Sequence, residues 1–380
     1  MPPAALRFAA AFVLGALTLD AQSSGRSVPS RPPDAASNVP PPAPAKIRAL
    51  TTATFGRAEY VSLADAATLL ALKGTWQEKE RRLTLADAKT KIILEADSRE
   101  VSFNGLRMFL GTPAILRNGT LYVAKIDFER LLLARARPAL VAAPPSRPRV
   151  VAIDPGHGGS DNGFENKRLG LKEKVLTLDV AQRLQKLLVT RGYKVVLTRT
   201  DDRALARDKP TDFRMRADLA NRAGAEVFVS IHFNSLFPDT KTGGTETYMF
   251  TPQSHRSDRA WSPKEPDDTE REAAPVNRYD PWSALFEQLM HREVIGSLQT
   301  LDRGQKTMHS AVLRGLNCPA VLVESIFLSN EAEAARAAKP EYRQQIAEAL
   351  AAGIEAYSDA VAALHPKPAA PATVSPRPPS

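Results

Sequence analysis

His157, Glu173, His232 and Glu324 lie far apart in the chain, yet their types and settings suit one reaction. His157 follows the apolar run VVAID and sits in an open loop, PGHGGSDNG. His232 ends the run VFVSI and is followed by Asn234, while Glu324 ends the run AVLV. Glu173 falls in the first turn of a helix that the His157 loop leads into. In an open α/β sheet the functional cleft forms at the carboxyl ends of the strands. Three of these residues therefore reach one edge, and a loop of this length can fold back to bring Glu173 beside His157. Two imidazoles, one carboxylate and an open position are the usual make-up of a catalytic zinc site. Zinc in such a set lowers the pKa of water towards neutrality, which supplies a nucleophile. A carboxylate free of the metal must then take the water proton and pass it to a leaving nitrogen, a part open to Glu324.

Taken singly, each residue has a plainer reading. His157 is an ordinary loop histidine, and Glu173 is a helix-start carboxylate favoured by the macrodipole. His232 is a satisfied histidine at a strand end. The stretch GHGGSDNG could cradle a phosphate, but no Gly-Lys-Ser/Thr follows it. The spacings match no short metal motif such as HExxH. Glu324 resists the plain reading most, because an apolar strand seldom ends idly in a bare carboxylate.

The elements that must position these residues alternate. Strand RVVAID leads to a helix over 172–190, with Val175, Leu178, Ala181, Leu184 and Leu188 on one face and Gly192 as a left-handed stop. Strand KVVLTR, a helix over 211–223 and strand EVFVSIH follow. Then come strand TETYMF, a helix over 282–300, strands HSAVLR and AVLVES, and a closing helix near 341–358. This order predicts an α/β fold with a central sheet flanked by helices on both faces. An α+β, hairpin-rich segment precedes it: a helical pattern over 60–72, then short strand-like runs, with Asn104-Gly105 and Asn118-Gly119 as tight-turn signals.

Composition divides the chain further. Arg7, an apolar stretch from Phe8 to Leu19 and Asp20-Ala21-Gln22 read as a secretory signal over 1–21, its apolar part too short to span a bilayer. No Cys lies beside it, so lipid attachment there is excluded, and no stable membrane insertion is expected after its removal. A Pro/Ser/Ala-rich linker covers 22–46, a folded unit 47–138, a second linker 139–147, a larger folded unit 148–360 and a Pro-rich tail 361–380. Cys318 is the sole cysteine, so no intramolecular disulfide is available. Lys and Arg exceed Asp and Glu by 51 to 42, a balance that suits an anionic partner. With 6% aromatic residues and no basic stretch interleaved with aromatics, nucleic acid is not expected.

In order, VAIDPGHGGSDNG, LKEKVLTLDVAQRL, VVLTRTDD, RMRADLANRAGAEVFVSIHFNS, GGTETYMF and DRGQKTMHSAVLRGLNCPAVLVESIFLSN make 149–358 resemble the zinc-dependent N-acetylmuramoyl-L-alanine amidases of the type 3 family. The resemblance implies Zn2+ on His157, Glu173 and His232, with Glu324 as the catalytic carboxylate. It also implies a peptidoglycan substrate, cell-wall remodelling or daughter-cell separation, and a place in the cell envelope, secreted or periplasmic. Where many members have Gly before the Phe of FLSN, this chain has Ile326, which is expected to alter the shape of the cleft. The stretch 251–281 is longer than a plain connection. Some members carry an insertion there that covers the zinc until a protein activator displaces it, which makes Glu265, Asp267, Asp268, Glu270 and Glu272 candidates to reach the metal. A solvated polar loop is the simpler reading. His309 is a candidate substrate contact; His255, His291 and His365 receive no role. Val61-Ser62-Leu63, Gly74-Thr75-Trp76, the two Asn-Gly turns and Leu121-Tyr122-Val123 make the first unit resemble the copper-amine-oxidase N-terminal module, although 59–133 holds no His or Cys. Two other functions stay open: another zinc peptidase trimming stem peptides, and a non-catalytic wall-binding protein.

Overall fold

The computed structural model describes residues 50–365 other than 78, 80 and 259–271. The expected signal and first linker, the tail from 366 and four of the insertion's acids (Glu265, Asp267, Asp268 and Glu270) lie outside the described residues. Among the described residues, no helix is long and apolar enough to cross a membrane.

The first segment is a set of short hairpins. β1 (Thr52–Phe55) and β2 (Ala58–Ser62) precede α1 (Leu63–Leu69). The helix starts three residues later than the periodicity predicts, because Tyr60 and Val61 pair with the last strand of the segment. The Ser62 hydroxyl caps it by accepting from the Ala64 and Asp65 amides. β3 (Lys73–Gln77), β4 (Arg82–Ala86), β5 (Lys91–Glu95), β6 (Glu100–Phe103) and β7 (Leu106–Phe109) form an antiparallel meander. β8 (Ile115–Arg117) and β9 (Thr120–Ala124) make a further hairpin that joins β2. Both Asn-Gly pairs turn with positive φ at each residue, 51° and 85° at Asn104-Gly105, 49° and 72° at Asn118-Gly119. A helical run over 125–136 closes the segment.

The second segment alternates as expected: β10 (Val150–Pro155), α2 (Glu173–Thr190), β11 (Lys194–Leu197), α3 (Lys209–Arg222), β12 (Val227–Asn234), β13 (Thr245–Phe250), α4 (Asp280–Leu298), β14 (Asp302–Met308), β15 (Ala320–Phe327) and α5 (Pro340–Ala362). β10, β11, β12 and β15 are parallel, and β13 runs antiparallel to β15. Alternate strand residues serve the two faces. Val151, Ile153, Val227, Val229, Ile231, Val321 and Val323 pack with α2, α4 and α5. Ala152, Phe228, Ala320 and Leu322 pack with Ala217 and Ala220 of α3 on the other side. Helices thus cover both faces.

Two sequence-based expectations are corrected. The buried face of α2 is Glu173, Leu176, Thr177, Val180, Ala181, Leu184 and Leu188, while Val175 is exposed. The helix is rotated so that Glu173 shares the stripe of Leu176, Thr177 and Val180, at i, i+3, i+4 and i+7. The strand expected at HSAVLR is DRGQKTM instead, and Ala311–Arg314 is a short helix. β14 escapes an apolar reading because Gln305 and Lys306 are held by polar partners on either face.

β14 also pairs in parallel with β7, Gln305 opposite Met108. One sheet of eleven strands therefore runs through both segments, in the order β11-β10-β12-β15-β13-β14-β7-β6-β5-β4-β3. Side chains reinforce the join. The Arg135 guanidinium meets the Glu287 carboxylate at 2.6 Å with both buried. Arg99 pairs with Asp258, and His255 Nε2 donates to Asp127 Oδ1 at 2.6 Å. His255 Nδ1 also faces a carbonyl, that of Arg256. Burial opposes a charge on His255, but the Asp127 carboxylate outweighs it and raises the imidazole pKa above 6.5. The pair's contribution to stability is therefore complete below 6.5 and is lost as pH rises through the raised value. Denaturant unfolding from about pH 5.5 to about 8.5 should show the stability gap between wild type and His255→Gln shrinking as pH rises; a constant gap would contradict this.

Candidate metal centre

The strand β10 ends at Pro155, and the next residues turn so tightly that His157 adopts φ +63°, a left-handed conformation rare for a residue with a side chain. The turn is held by its carbonyls. Arg199 donates from Nε to Pro155 O at 3.0 Å and from a terminal nitrogen to Gly156 O at 2.9 Å. Arg216 donates to His157 O at 2.7 Å and to Asp154 Oδ1 at 2.9 Å. Gly156 faces the His232 ring so closely that any Cβ there would collide with it. This explains the glycine beside His157: the backbone must pass directly beneath a second imidazole.

Glu173 reaches both rings. Its Oε1 lies 3.0 Å from His157 Nε2 and 3.0 Å from His232 Nδ1, and it accepts from the Phe233 amide at 3.1 Å. Oε2 accepts from the Phe164 amide at 2.9 Å. The two rings meet edge to face with centroids 4.9 Å apart. Burial alone would raise the Glu173 pKa, but both imidazoles pull it well below the ordinary carboxylate range. Burial likewise opposes protonation of His157, and Glu173 with Asp161 overrides it, raising the ring's pKa. On its far side, His157 Nδ1 meets Asp161 Oδ2 at 3.0 Å, and Lys209 holds that carboxylate at 3.1 Å.

One donor atom from each of His157, Glu173 and His232 falls within 4.8 Å of the others. Two imidazoles converging on a buried carboxylate, with an acid orienting the outer nitrogen of one ring, fit a zinc-type dication and its supporting shell. Glu324 is on the neighbouring strand, directly opposite His232 in register and 4% exposed. All four residues singled out by sequence therefore meet at one edge.

Among the described residues, the other candidates do not come to it. Ile326 is fully buried in the core beneath the sheet, so its bulk shapes packing and not the cleft. His309 lies against Phe250, ring centroids 5.8 Å apart, at the amino end of β15. The described flanks of 251–281 leave from that same end: Asn277 donates to Thr251 O, and Arg278 donates to Asn317, just before β15. From Ala320 to Glu324 is four residues of strand, about 13 Å. Glu272 is exposed. His291 bonds Asp302 and His365 bonds Pro145 O. Sequence reasoning passed over Asp154, Asp161, Arg199, Arg216 and Glu246. The signal was there in Asp154, Arg199 and Arg216, charged residues placed within or beside strand and helix patterns where burial was predictable.

The family model for N-acetylmuramoyl-L-alanine amidase matches residues 151–356, more than half of the chain. The chain belongs to this family. Its name states its reaction: hydrolysis of the N-acetylmuramoyl–L-alanine amide. A second model, the copper amine oxidase N-terminal domain, matches 54–129. An uncharacterized cell wall amidase of Bacillus anthracis is 31% identical over 210 residues, covering 55% of this chain and 35% of that protein. A germination-specific N-acetylmuramoyl-L-alanine amidase of Bacillus subtilis is 30% identical over 218 residues, covering 55% of this chain and 79% of that protein. Among solved structures, an N-acetylmuramoyl-L-alanine amidase from Clostridium difficile 630 is 31% identical, covers 56% of this chain and 98% of that one, and has a TM-score of 0.45. The amidase match begins at Val151 in β10 and takes in all four site residues.

Proposed function

We propose that this chain hydrolyses the amide between N-acetylmuramic acid and the L-Ala of the stem peptide in peptidoglycan, with Zn2+ as cofactor. The observation that carries the proposal is the convergence of His157, Glu173 and His232 beside Glu324, within a segment of the amidase family. A zinc ion held by the three donors supplies Lewis acidity and lowers the pKa of water. Glu324 takes the water proton and returns it to the departing nitrogen, for which its place on the strand beside His232 suits it. Asp161 fixes the tautomer of His157 by accepting from Nδ1, which leaves Nε2 as the donor atom. Arg199 and Arg216 keep the His157 turn rigid, so the ligands are placed before the metal arrives.

The envelope setting follows from the substrate: secretion through the signal over 1–21, then work on the wall in remodelling or daughter-cell separation. The basic excess suits an anionic wall polymer. The segment 47–138 is a module that accompanies the catalytic unit at 148–360. A protein activator that displaces 251–281 belongs to this reading as a partner; the described flanks of that insertion are anchored at the edge opposite the metal.

Purified sacculi provide the test. Digestion should release peptides with a new L-Ala amine and leave glycan free of stem peptide, and a chelator should stop it until Zn2+ is restored. Release of C-terminal amino acids instead would identify a stem-peptide carboxypeptidase, and no release would leave a wall-binding protein.

A further inference from the structure

The motif DRGQKTM forms β14, and the chemistry above makes no use of it. Glu246 of β13 stands opposite Glu324 in the antiparallel register. It shares the face of the metal ligands, since Asn234 of β12 donates to Glu246 Oε2 at 2.8 Å. Two neighbouring carboxylates on one face repel unless cations attend them. Lys306 does so, donating to Glu246 Oε1 at 2.7 Å. Tyr248 donates its hydroxyl to Oε2 at 2.6 Å. Arg303 adds a second cation to the same carboxylate, with its Nε 2.9 Å from Oε1.

Arg303 is held in a way that neutralising Glu246 does not require. Its stem crosses Gly244, where a Cβ would crowd Arg303 Cγ, and its guanidinium lies 5.0 Å from the centre of the Phe327 ring. Among the described residues its terminal nitrogens have no protein acceptor, and the side chain is 30% exposed. The nearby acids are engaged elsewhere: Glu333 accepts from the Gly244 and Phe327 amides, and Asp302 from His291 and Arg107. A planar fork fixed at Nε and stacked on a ring, with its outer edge open, is built for a carboxylate.

Its reach sets which carboxylate. Glu246 is two strands from His232, about 10 Å, and an extended peptide covers that in about three residues. A carboxypeptidase must grip the terminal carboxylate of the residue it removes, which is closer to the metal than this. We propose that Arg303 binds a side-chain or branch carboxylate of the stem peptide, two or three residues beyond the scissile amide, so that acidic stem peptides are the preferred substrate. This rests on the amidase reading above.

The test uses two soluble muropeptides that differ only in their stem carboxylates, free in one and converted to primary amides in the other. Formation of the L-Ala amine is followed with the zinc-loaded full chain. Wild type should favour the free acid by about 10- to 100-fold in kcat/KM, mainly through KM. Arg303→Gln should bring that ratio close to one, and Arg303→Lys, which keeps the charge without the fork, should retain part of it. Equal cleavage of both substrates by wild type overturns the Arg303 assignment. An equal fall on both substrates in Arg303→Gln does so too, because it marks a structural role. If wild type exposes no L-Ala amine on either substrate, the amidase reading itself fails, and this inference with it.

Discussion

Glu324→Gln is expected to slow amide hydrolysis by about 10²- to 10⁴-fold while the protein still takes up zinc. Glutamine keeps the size of the side chain but cannot accept and return a proton. The substitution is placed in a buried position on β15, so its shape must be kept for the sheet to stay in register. His232→Ala should fail differently, by losing the metal. His232 shares the Glu173 oxygen with His157, and removing it leaves two donors where three converge. Metal content measured beside turnover separates the two outcomes. A Glu324→Gln protein with wild-type turnover would remove the general base from the account. A His232→Ala protein that retains stoichiometric zinc would remove the ligand set.

The second large effect is on stability. Arg135 and Glu287 are each 1% exposed, and the pair ties the helical run 125–136 to α4. Burial works against both charges, lowering the Arg135 pKa and raising that of Glu287, and only their mutual attraction and hydrogen bonds offset it. Arg135 also donates to Leu131 O and Gln305, and Glu287 accepts from the Lys306 amide. Glu287→Leu leaves a buried guanidinium without its anion and should cost about 3–5 kcal/mol in denaturant unfolding. The double variant Arg135→Met with Glu287→Leu should recover most of that loss, because apolar groups of like size replace a desolvated pair at little cost. Since the pair stands beside the β7–β14 junction, wild type should unfold in one transition. Two separate transitions, only one of them moved by Glu287→Leu, would disprove the coupling of the segments.

The candidate residues of the site were legible because ligand chemistry restricts residue type, and the family resemblance then chose them over their plainer single readings. Few side chains bind zinc or move protons, and an imidazole or carboxylate at the end of an apolar strand is exposed to notice. The strands themselves were legible for the same reason that they fold: runs such as VVAI, VFV and AVLV are largely buried on both faces and must be continuously apolar. β14 was misplaced because it breaks that rule. Its Gln305 and Lys306 are satisfied by residues far away in sequence, Arg135 and Glu246, and no local pattern announces such partners.

The sequence by itself determined which groups are candidates for catalysis, the alternation of strands and helices, and the tight Asn-Gly turns, since these depend on residue type and local spacing. Tertiary structure alone decided the rest: the rotation of α2 that turns Glu173 inward and Val175 outward, the arginine clamps on the His157 turn, the departure of the insertion from the far edge, and the joining of two segments into one sheet. Each of these depends on which distant residue supplies a hydrogen-bond partner or a counter-charge, and that pairing exists only once the chain has been brought together.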